Sequence, residues 1–245
     1  MTIYVEQSNL LFKSCIKEPF PHLVIDNFFK EEHLDKILNE INSLKDVDAM
    51  SYNNPDSPFE YNKLAFQVNY GDYLKKVFTE LNSPEFIKHI ESITGIKDLI
   101  TNEINLEGAG IHRIKKNGFL EFHTDFNYYN WSGGLLDRRV NLLIYMNPDW
   151  KPEYKGDLLL ADIKTKECFK RISPILNRAV IFNTTNKSIH GHPERLQIDN
   201  RQSIAMYYYT RNKDYPLDFE GDEAHMTLWH QDINIKNISP YKTKN

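Results

Sequence analysis

Between about residue 106 and residue 210 the sequence breaks into short runs of strand-forming residues divided by turn residues, and this punctuation limits the fold more than any other feature. The runs are 109–115, 120–125, 139–147, 157–161, 167–171, 179–183, 188–192 and 201–209. Asn117-Gly118, Gly133-Gly134, Asn147-Pro148-Asp149 and Ser173-Pro174 fall between them. Gly, Asn, Asp and Pro supply the backbone angles that tight turns require. Many short strands at near-regular spacing predict a sandwich or jelly roll.

Two runs have faces of different chemistry. Side chains two apart in a strand share a face. In 139–147, Val140, Leu142, Ile144 and Met146 make an apolar face suited to packing against helices, while Asn141, Leu143 and Tyr145 make the other. In 201–209, Gln202, Ile204, Met206 and Tyr208 share one face, and Arg201, Ser203, Ala205, Tyr207 and Tyr209 share the other.

The helices expected to support such a sheet lie before it. His22 to Asp26 reads as a short strand. Leu34, Ile37, Leu38, Ile41 and Leu44 then recur at helical spacing. Ser83-Pro84 is a cap followed by proline at the first helical position, and Gly95 can end the helix carrying Phe86, Ile87, Ile90 and Ile93. No linker or repeat interrupts the chain. The expected organisation is one mainly-β domain over 1–245: helix-rich support over 1–105, the strand-rich core over 106–210, and a polar extension over 211–245.

Composition excludes some functions. A net charge of -4 argues against a nucleic-acid backbone as the main partner. No run approaches the ~18 apolar residues of a membrane span, and residues 1–15 lack an apolar signal core. Cys15 and Cys168 lie far apart, as free thiols in a reducing compartment would. The chain reads as soluble and cytoplasmic, with oligomeric state left open.

His123-Thr124-Asp125 puts an imidazole and a carboxylate on one face of a strand. A second histidine, His190 or His192, follows further along. Two histidines and a carboxylate make the facial triad of non-haem iron(II) sites, which leaves coordination positions open. Alone, a His-x-Asp tripeptide is as well explained by a surface pair. Arg201 and Ser203 share a face, and a guanidinium fork beside a hydroxyl suits a carboxylate such as the distal one of 2-oxoglutarate. The Tyr145 phenol can donate to the same group. Ordinary alternatives are an arginine paired with a protein acid and a core tyrosine bonded to backbone.

These blocks, in this order, resemble the Fe(II)/2-oxoglutarate oxygenases of the prolyl-hydroxylase-like group. The resemblance covers about Gly108 to Tyr209, two-fifths of the chain. It rests on the strand and His-x-Asp of 113–125, on Arg139–Trp150 with its Tyr145-Met146-Asn147, and on Lys155-Gly156-Asp157-Leu158. The run 179–183 followed by Ser188-Ile189-His190-Gly191-His192-Pro193 completes it together with Arg201-Gln202-Ser203. Pro19 to Phe29 is similar to the opening of many members. The sequence departs near position 113, where some members have a tyrosine and this chain has His112-Arg113.

The resemblance implies a double-stranded β-helix, the jelly roll that opens onto the iron. It implies Fe(II) and 2-oxoglutarate as cofactors, O2 as co-substrate and ascorbate as a supporting reductant. The family's distal ligand follows the aromatic that closes the preceding strand by eight residues, and Phe182 plus eight is His190. The implied metal ligands and catalytic residues are His123, Asp125 and His190. The implied 2-oxoglutarate contacts are Arg201, Tyr145, Ser203 and Asn141. A carboxylate at 125 favours hydroxylation, because the halogenating members have a small residue there that leaves room for chloride. The expected partner is a small-molecule or peptide substrate, met by the loop 126–136 with its Asn127, Tyr128, Tyr129 and Trp131. Two rival readings share the strands: a jelly-roll binding protein without catalysis, and a metal dioxygenase that does not use 2-oxoglutarate.

Overall fold

The computed structural model describes residues 2–4, 16–67, 69–101, 108–131, 134–211, 224–236 and 238–242. Cys15 and most of the segment before it lie outside these. The first strand, β1 (His22–Ile25), is followed by helix α1 (Glu31–Ser43) and the hairpin β2 (Met50–Tyr52) and β3 (Glu60–Phe66). Helices α2 (Asp72–Leu81) and α3 (Pro84–Thr94) come next. The α1 stripe buries Ile37 and Ile41 as its spacing predicts. In α3 the Ser83 Oγ accepts from the Phe86 N–H at 3.2 Å, and Gly95 closes the helix at φ 76°. Leu74, Val77, Phe78 and Leu81 carry the same periodicity on α2, an element outside the sequence expectation.

The strands that follow are β4 (Gly110–Thr124), β5 (Tyr128–Trp131), β6 (Gly134–Tyr145), β7 (Leu158–Asp162), β8 (Glu167–Ile172), β9 (Arg178–Asn183), β10 (Ile189–His192), β11 (Arg201–Arg211) and β12 (Leu228–Trp229). They form one curled antiparallel ladder in the order β1-β9-β6-β11-β4-β10-β7-β8, the jelly roll expected from the turn spacing. Strand β4 links the two walls. Its first half pairs with β11 and its last residues pair with β10.

Asn117-Gly118 does not divide two strands. Against β3, Lys63 faces Ile114 while Tyr61 faces Phe119, so residues 115–118 bulge out of a ladder that continues on both sides. Asn117 takes φ 63°, and the bulge is tied down by Asn117 N–H to Leu196 O at 2.8 Å and Leu196 N–H to Gly118 O at 3.0 Å. Part of the expected substrate loop is also strand, because β5 pairs with β6 over Tyr128–Trp131.

The apolar face of β6 packs on the helices as anticipated. Val140, Leu142, Ile144 and Met146 join Ile204, Met206 and Tyr208 of β11 in one core with α1, α2 and α3. A second core inside the roll contains Phe20, Tyr145, Leu158, Leu160 and Phe182. The C-terminal segment runs along the roll. β12 pairs with Thr124 and His123, Asn234 bonds to Lys166 and Cys168, and the Tyr241 N–H reaches Arg171 O. It thereby covers backbone that β4 and β8 would otherwise leave unpaired. Among the described residues no helix is long and apolar enough to cross a membrane.

Candidate active site

The inward faces of β4, β6, β10 and β11 enclose one cavity, and the polar residues singled out above line it: His123, Asp125, Asn141, Tyr145, His190, Arg201 and Ser203. His123 sits at the end of β4, directly opposite His190 on β10. This close approach depends on Gly191, where a Cβ would stand 2.8 Å from the Glu121 carbonyl oxygen. The two imidazole rings lie 4.4 Å apart, and Phe182 packs edge-on against His190 at 4.8 Å.

Backbone carbonyls fix both rings. His123 Nδ1 lies 2.8 Å from Glu121 O, and His190 Nδ1 lies 2.9 Å from Ser188 O. A carbonyl accepts only, so each Nδ1 carries the proton and each Nε2 presents a lone pair. The His123 Nε2 is 3.6 Å from Asp125 Oδ1, and the His190 Nε2 is 3.5 Å from Asp125 Oδ2. Ligand atoms of all three residues lie within 4.8 Å of one another. Two nitrogens and a carboxylate at this spacing fit a first-row divalent ion of the iron type. His192, the other candidate, lines the cavity beside them, with its Nδ1 buried and lacking a hydrogen-bond partner.

Charge and burial together favour the protonation states that a metal would require of Asp125 and His190. Burial would raise the Asp125 pKa, but Arg138 and the two imidazoles outweigh it and hold the carboxyl well below its usual range. Burial, with His123 adding to it, lowers His190 to about 4, which keeps its imidazole neutral near pH 7. Asp125 Oδ2 accepts from Arg138 Nη2 at 3.0 Å and from Asn141 Nδ2 at 2.6 Å. Arg138 also donates to Asn141 Oδ1 through Nε and Nη2. Its guanidinium is stacked between Tyr207 and Phe126, 3.4 and 4.4 Å from their ring centres. Asn141 thus lines the cavity while its amide engages Asp125 and Arg138.

The far end of the cavity is a second site. Arg201 is only 5% exposed, and its Nε donates to Gly156 O at 2.6 Å. Among the described residues no carboxylate lies within salt-bridge distance of it. Burial lowers its pKa, with Tyr145 and Asp157 opposing that shift. The buried Tyr145 hydroxyl lies beside this guanidinium, whose Cζ is 5.0 Å from the phenol ring centre, and has no other hydrogen-bond partner among the described residues. Ser203 faces Tyr145 across the β6–β11 pair and is buried with it. A buried cation without an acid among the described residues, beside a buried phenol, fits a carboxylate guest.

Residues outside the sequence expectation complete the site. Arg138, Lys63, His112 and Tyr207 line its walls, and Trp229 of β12 stands 5.3 Å from the His123 ring. Of these, only Tyr207, on the Arg201 and Ser203 face of its strand, carried a signal in the local pattern. From the expected substrate loop, Phe126 lines the cavity and Asn127 holds the C-terminal segment through His225. Tyr128 and Tyr129 belong to the β5 hairpin, and among the described lining residues they are absent.

Comparison with known proteins agrees with this geometry. Residues 109–209 match the family model of the 2OG-Fe(II) oxygenase superfamily. A Trichoplax adhaerens prolyl hydroxylase, solved with a hypoxia inducible factor oxygen degradation domain peptide fragment, superposes at TM-score 0.62 with 17% identity. That match covers 87% of this chain and 93% of the other. A Pseudomonas putida prolyl-4-hydroxylase gives TM-score 0.54 at 11% identity, covering 78% and 93%. HygX from Streptomyces hygroscopicus, solved with nickel, 2-oxoglutarate and hygromycin B, gives 0.51 at 12%, covering 82% and 85%. Residues 109–209 therefore match a 2OG-Fe(II) oxygenase domain on a jelly-roll fold, and with the His-Asp-His cluster the match supports a 2-oxoglutarate-dependent dioxygenase with Fe(II) and 2-oxoglutarate as its cofactors.

Proposed function

We propose that His123, Asp125 and His190 hold the Fe(II), and that Arg201, Tyr145 and Ser203 hold the distal carboxylate of 2-oxoglutarate. The observation that carries the proposal is the pairing of the two ends of one cavity. One end gathers two Nε2 lone pairs and a carboxylate, and the other a buried arginine lacking an acid partner among the described residues. A binding protein would have no use for this combination, and a dioxygenase without 2-oxoglutarate would have no use for the second end.

Fe(II) and 2-oxoglutarate, when bound, supply the oxidation in which O2 is divided between succinate and a hydroxylated substrate. The chain's residues prepare for it. The backbone carbonyls of Glu121 and Ser188 hold both imidazoles in one tautomer. Arg138 and Asn141 engage Asp125 Oδ2, so Oδ1 would be the oxygen available to hold the ion. This outer layer sets the direction and basicity of the ligands. Leu143, Leu158 and the Tyr145 ring give the cavity an apolar wall beside the clamp. Asp125, as a carboxylate ligand, occupies the position a chloride would need, which supports hydroxylation as the outcome.

The domain is read as continuous over 1–245, with the C-terminal segment part of the site through Trp229. A cytoplasmic location is supported by the buried free thiol of Cys168. Arg201→Ala tests the assignment. Loss of a charge-assisted pair in a dry pocket costs about 2–5 kcal/mol, so the 2-oxoglutarate requirement should rise about 30-fold or more while Fe(II) affinity stays near that of the parent. An unchanged requirement contradicts the clamp.

A further inference from the structure

Outside the triad the cavity widens toward the surface, between the β2–β3 hairpin and the C-terminal segment. Its walls alternate aromatic faces with hydrogen-bonding groups: Tyr52, Phe126, Tyr207 and Trp229 against Glu60 and Lys63. Tyr52 and Glu60 continue into an outer trough with Ser51, Asn53, Asn54 and Ser57, whose lining has no aliphatic side chain.

We infer that the substrate is a small, uncharged, polyhydroxylated molecule of the saccharide or cyclitol class, seated on the faces of Tyr52 and Trp229 that Lys63 and Phe59 leave uncovered, with its hydroxyls toward Glu60, Lys63 and the Asn-Ser trough. The inference rests on the cofactor roles proposed above, which fix where the reacting carbon must lie.

Three observations carry it. First, charge in this part of the cavity is internally balanced. Lys63 Nζ pairs with Glu60 Oε2 at 3.1 Å, and Arg138 pairs with Asp125 at 3.0 Å. Burial and the nearby Lys63 charge lower His112 to about 3, so it stays neutral. A strongly anionic or cationic guest would meet no uncompensated partner. Second, β4 offers a polypeptide no edge beside the triad. Beside the triad, β4 is paired with β3 and β10 and then with β12. The Phe59 and Trp229 rings stack at 4.8 Å and 17°, tying the segment before β3 to the C-terminal strand across the mouth. An extended peptide could add itself there only to the outer edges of β2 and β12, three and two residues long, and not alongside the triad. Third, aromatic rings beside carboxylate, ammonium, amide and hydroxyl groups suit a ligand with a C–H face and several hydroxyls. Such a ring stacks on one side and hydrogen-bonds on the other. A purely apolar guest would strand the charges of Glu60 and Lys63.

The test is succinate formation by the Fe(II)-loaded full chain, measured over its substrate-free rate. The panel holds neutral methyl glycosides of hexoses and pentoses, myo-inositol, phosphorylated sugars, free amino acids and a proline-rich peptide. The expected result is stimulation by at least one neutral sugar or cyclitol, reduced about ten-fold in Trp229→Ala and Tyr52→Ala, the loss expected from one stacking face. Should Trp229→Ala fail to fold, Tyr52→Ala on the exposed hairpin carries the comparison. Stimulation by amino acids, peptide or sugar phosphates alone overturns the inference. Stimulation by nothing in the panel also overturns it while 2-oxoglutarate still gives its visible charge-transfer band with the bound iron. Absence of that band overturns the cofactor roles and this inference together, so the two failures are told apart.

Discussion

The two faces of β6 and β11 are both buried, yet they are built on opposite rules. Toward the helices, Val140, Leu142, Ile144, Ile204 and Met206 are fully covered and purely apolar, and the Tyr208 hydroxyl donates to Leu81 O at 3.0 Å. Toward the cavity, Asn141, Tyr145, Arg201 and Ser203 are also buried, but the Tyr145 hydroxyl has only the Arg201 guanidinium beside it and Arg201 lacks an acid among the described residues. Burial alone therefore does not separate core from site. What separates them is whether the protein satisfies the polar groups it buries. Desolvating a polar group without a partner costs free energy. A face that tolerates this cost is one whose partner comes from outside.

If the faces divide the work in this way, changes on each should move different observables. The largest effect is expected for His190→Ala. Removing a ligand costs more than the 10- to 100-fold typical of outer groups, so Fe(II)-dependent turnover of 2-oxoglutarate should vanish while the melting temperature of the metal-free protein stays near that of the parent. Leu142→Ala reverses the pattern. A cavity in the helix-side core should cost about 2–5 kcal/mol of stability by denaturant titration, with Fe(II) affinity unchanged in the folded fraction. A large loss of metal affinity in Leu142→Ala would break the comparison.

Arg138→Met lies between the two, because Arg138 is 2% exposed yet touches Asp125. The expected result is roughly 10- to 100-fold weaker Fe(II) binding, read by isothermal titration. An effect confined to stability would move Arg138 to the structural side.

The smallest effect at any one pH step comes from a buried histidine away from the cavity. Burial lowers His22 to about 4, with Phe20 O opposing and Lys170 adding to the shift. Its folded-state pKa is below the unfolded value near 6.5. Its contribution to stability is therefore complete above 6.5 and is lost as pH falls toward 4, at up to ~1.4 kcal/mol per pH unit. His22→Gln should flatten the acid limb of the stability curve of the metal-free protein by about that slope. An unaltered slope would remove His22 from the acid response.

How much of this was legible in the sequence depended on whether alternation survived. Val140, Leu142 and Ile144 against Asn141 and Tyr145 follow period two, and so do Arg201 and Ser203 against Ile204 and Met206. The structure keeps both patterns. Arg138 shares the parity of Val140 and would read as a helix-side residue. Across β11, however, Tyr208 faces Val140 and Tyr209 faces Arg138, so Arg139 is an extra residue. That bulge turns Arg138 to the Asp125 side, because one inserted residue exchanges the faces. Lys63 and Trp229 reach the site through long-range register with β4, which no local pattern encodes. The bulge at 115–118 was likewise visible as Asn117-Gly118, but as a turn, since the pairing that keeps the ladder intact lies far away in the chain.

The most direct test of the central claim is a crystal structure of the full chain with Mn(II) and 2-oxoglutarate. The account predicts one metal ion held by Nε2 of His123, Nε2 of His190 and a single oxygen of Asp125, at about 2.0–2.3 Å for a first-row ion with nitrogen and oxygen ligands. It also predicts the distal carboxylate of 2-oxoglutarate on Arg201 and Tyr145. A metal held by His192 with His190 turned away, or a 2-oxoglutarate whose distal carboxylate lies elsewhere while Arg201 stays unpaired, would contradict it.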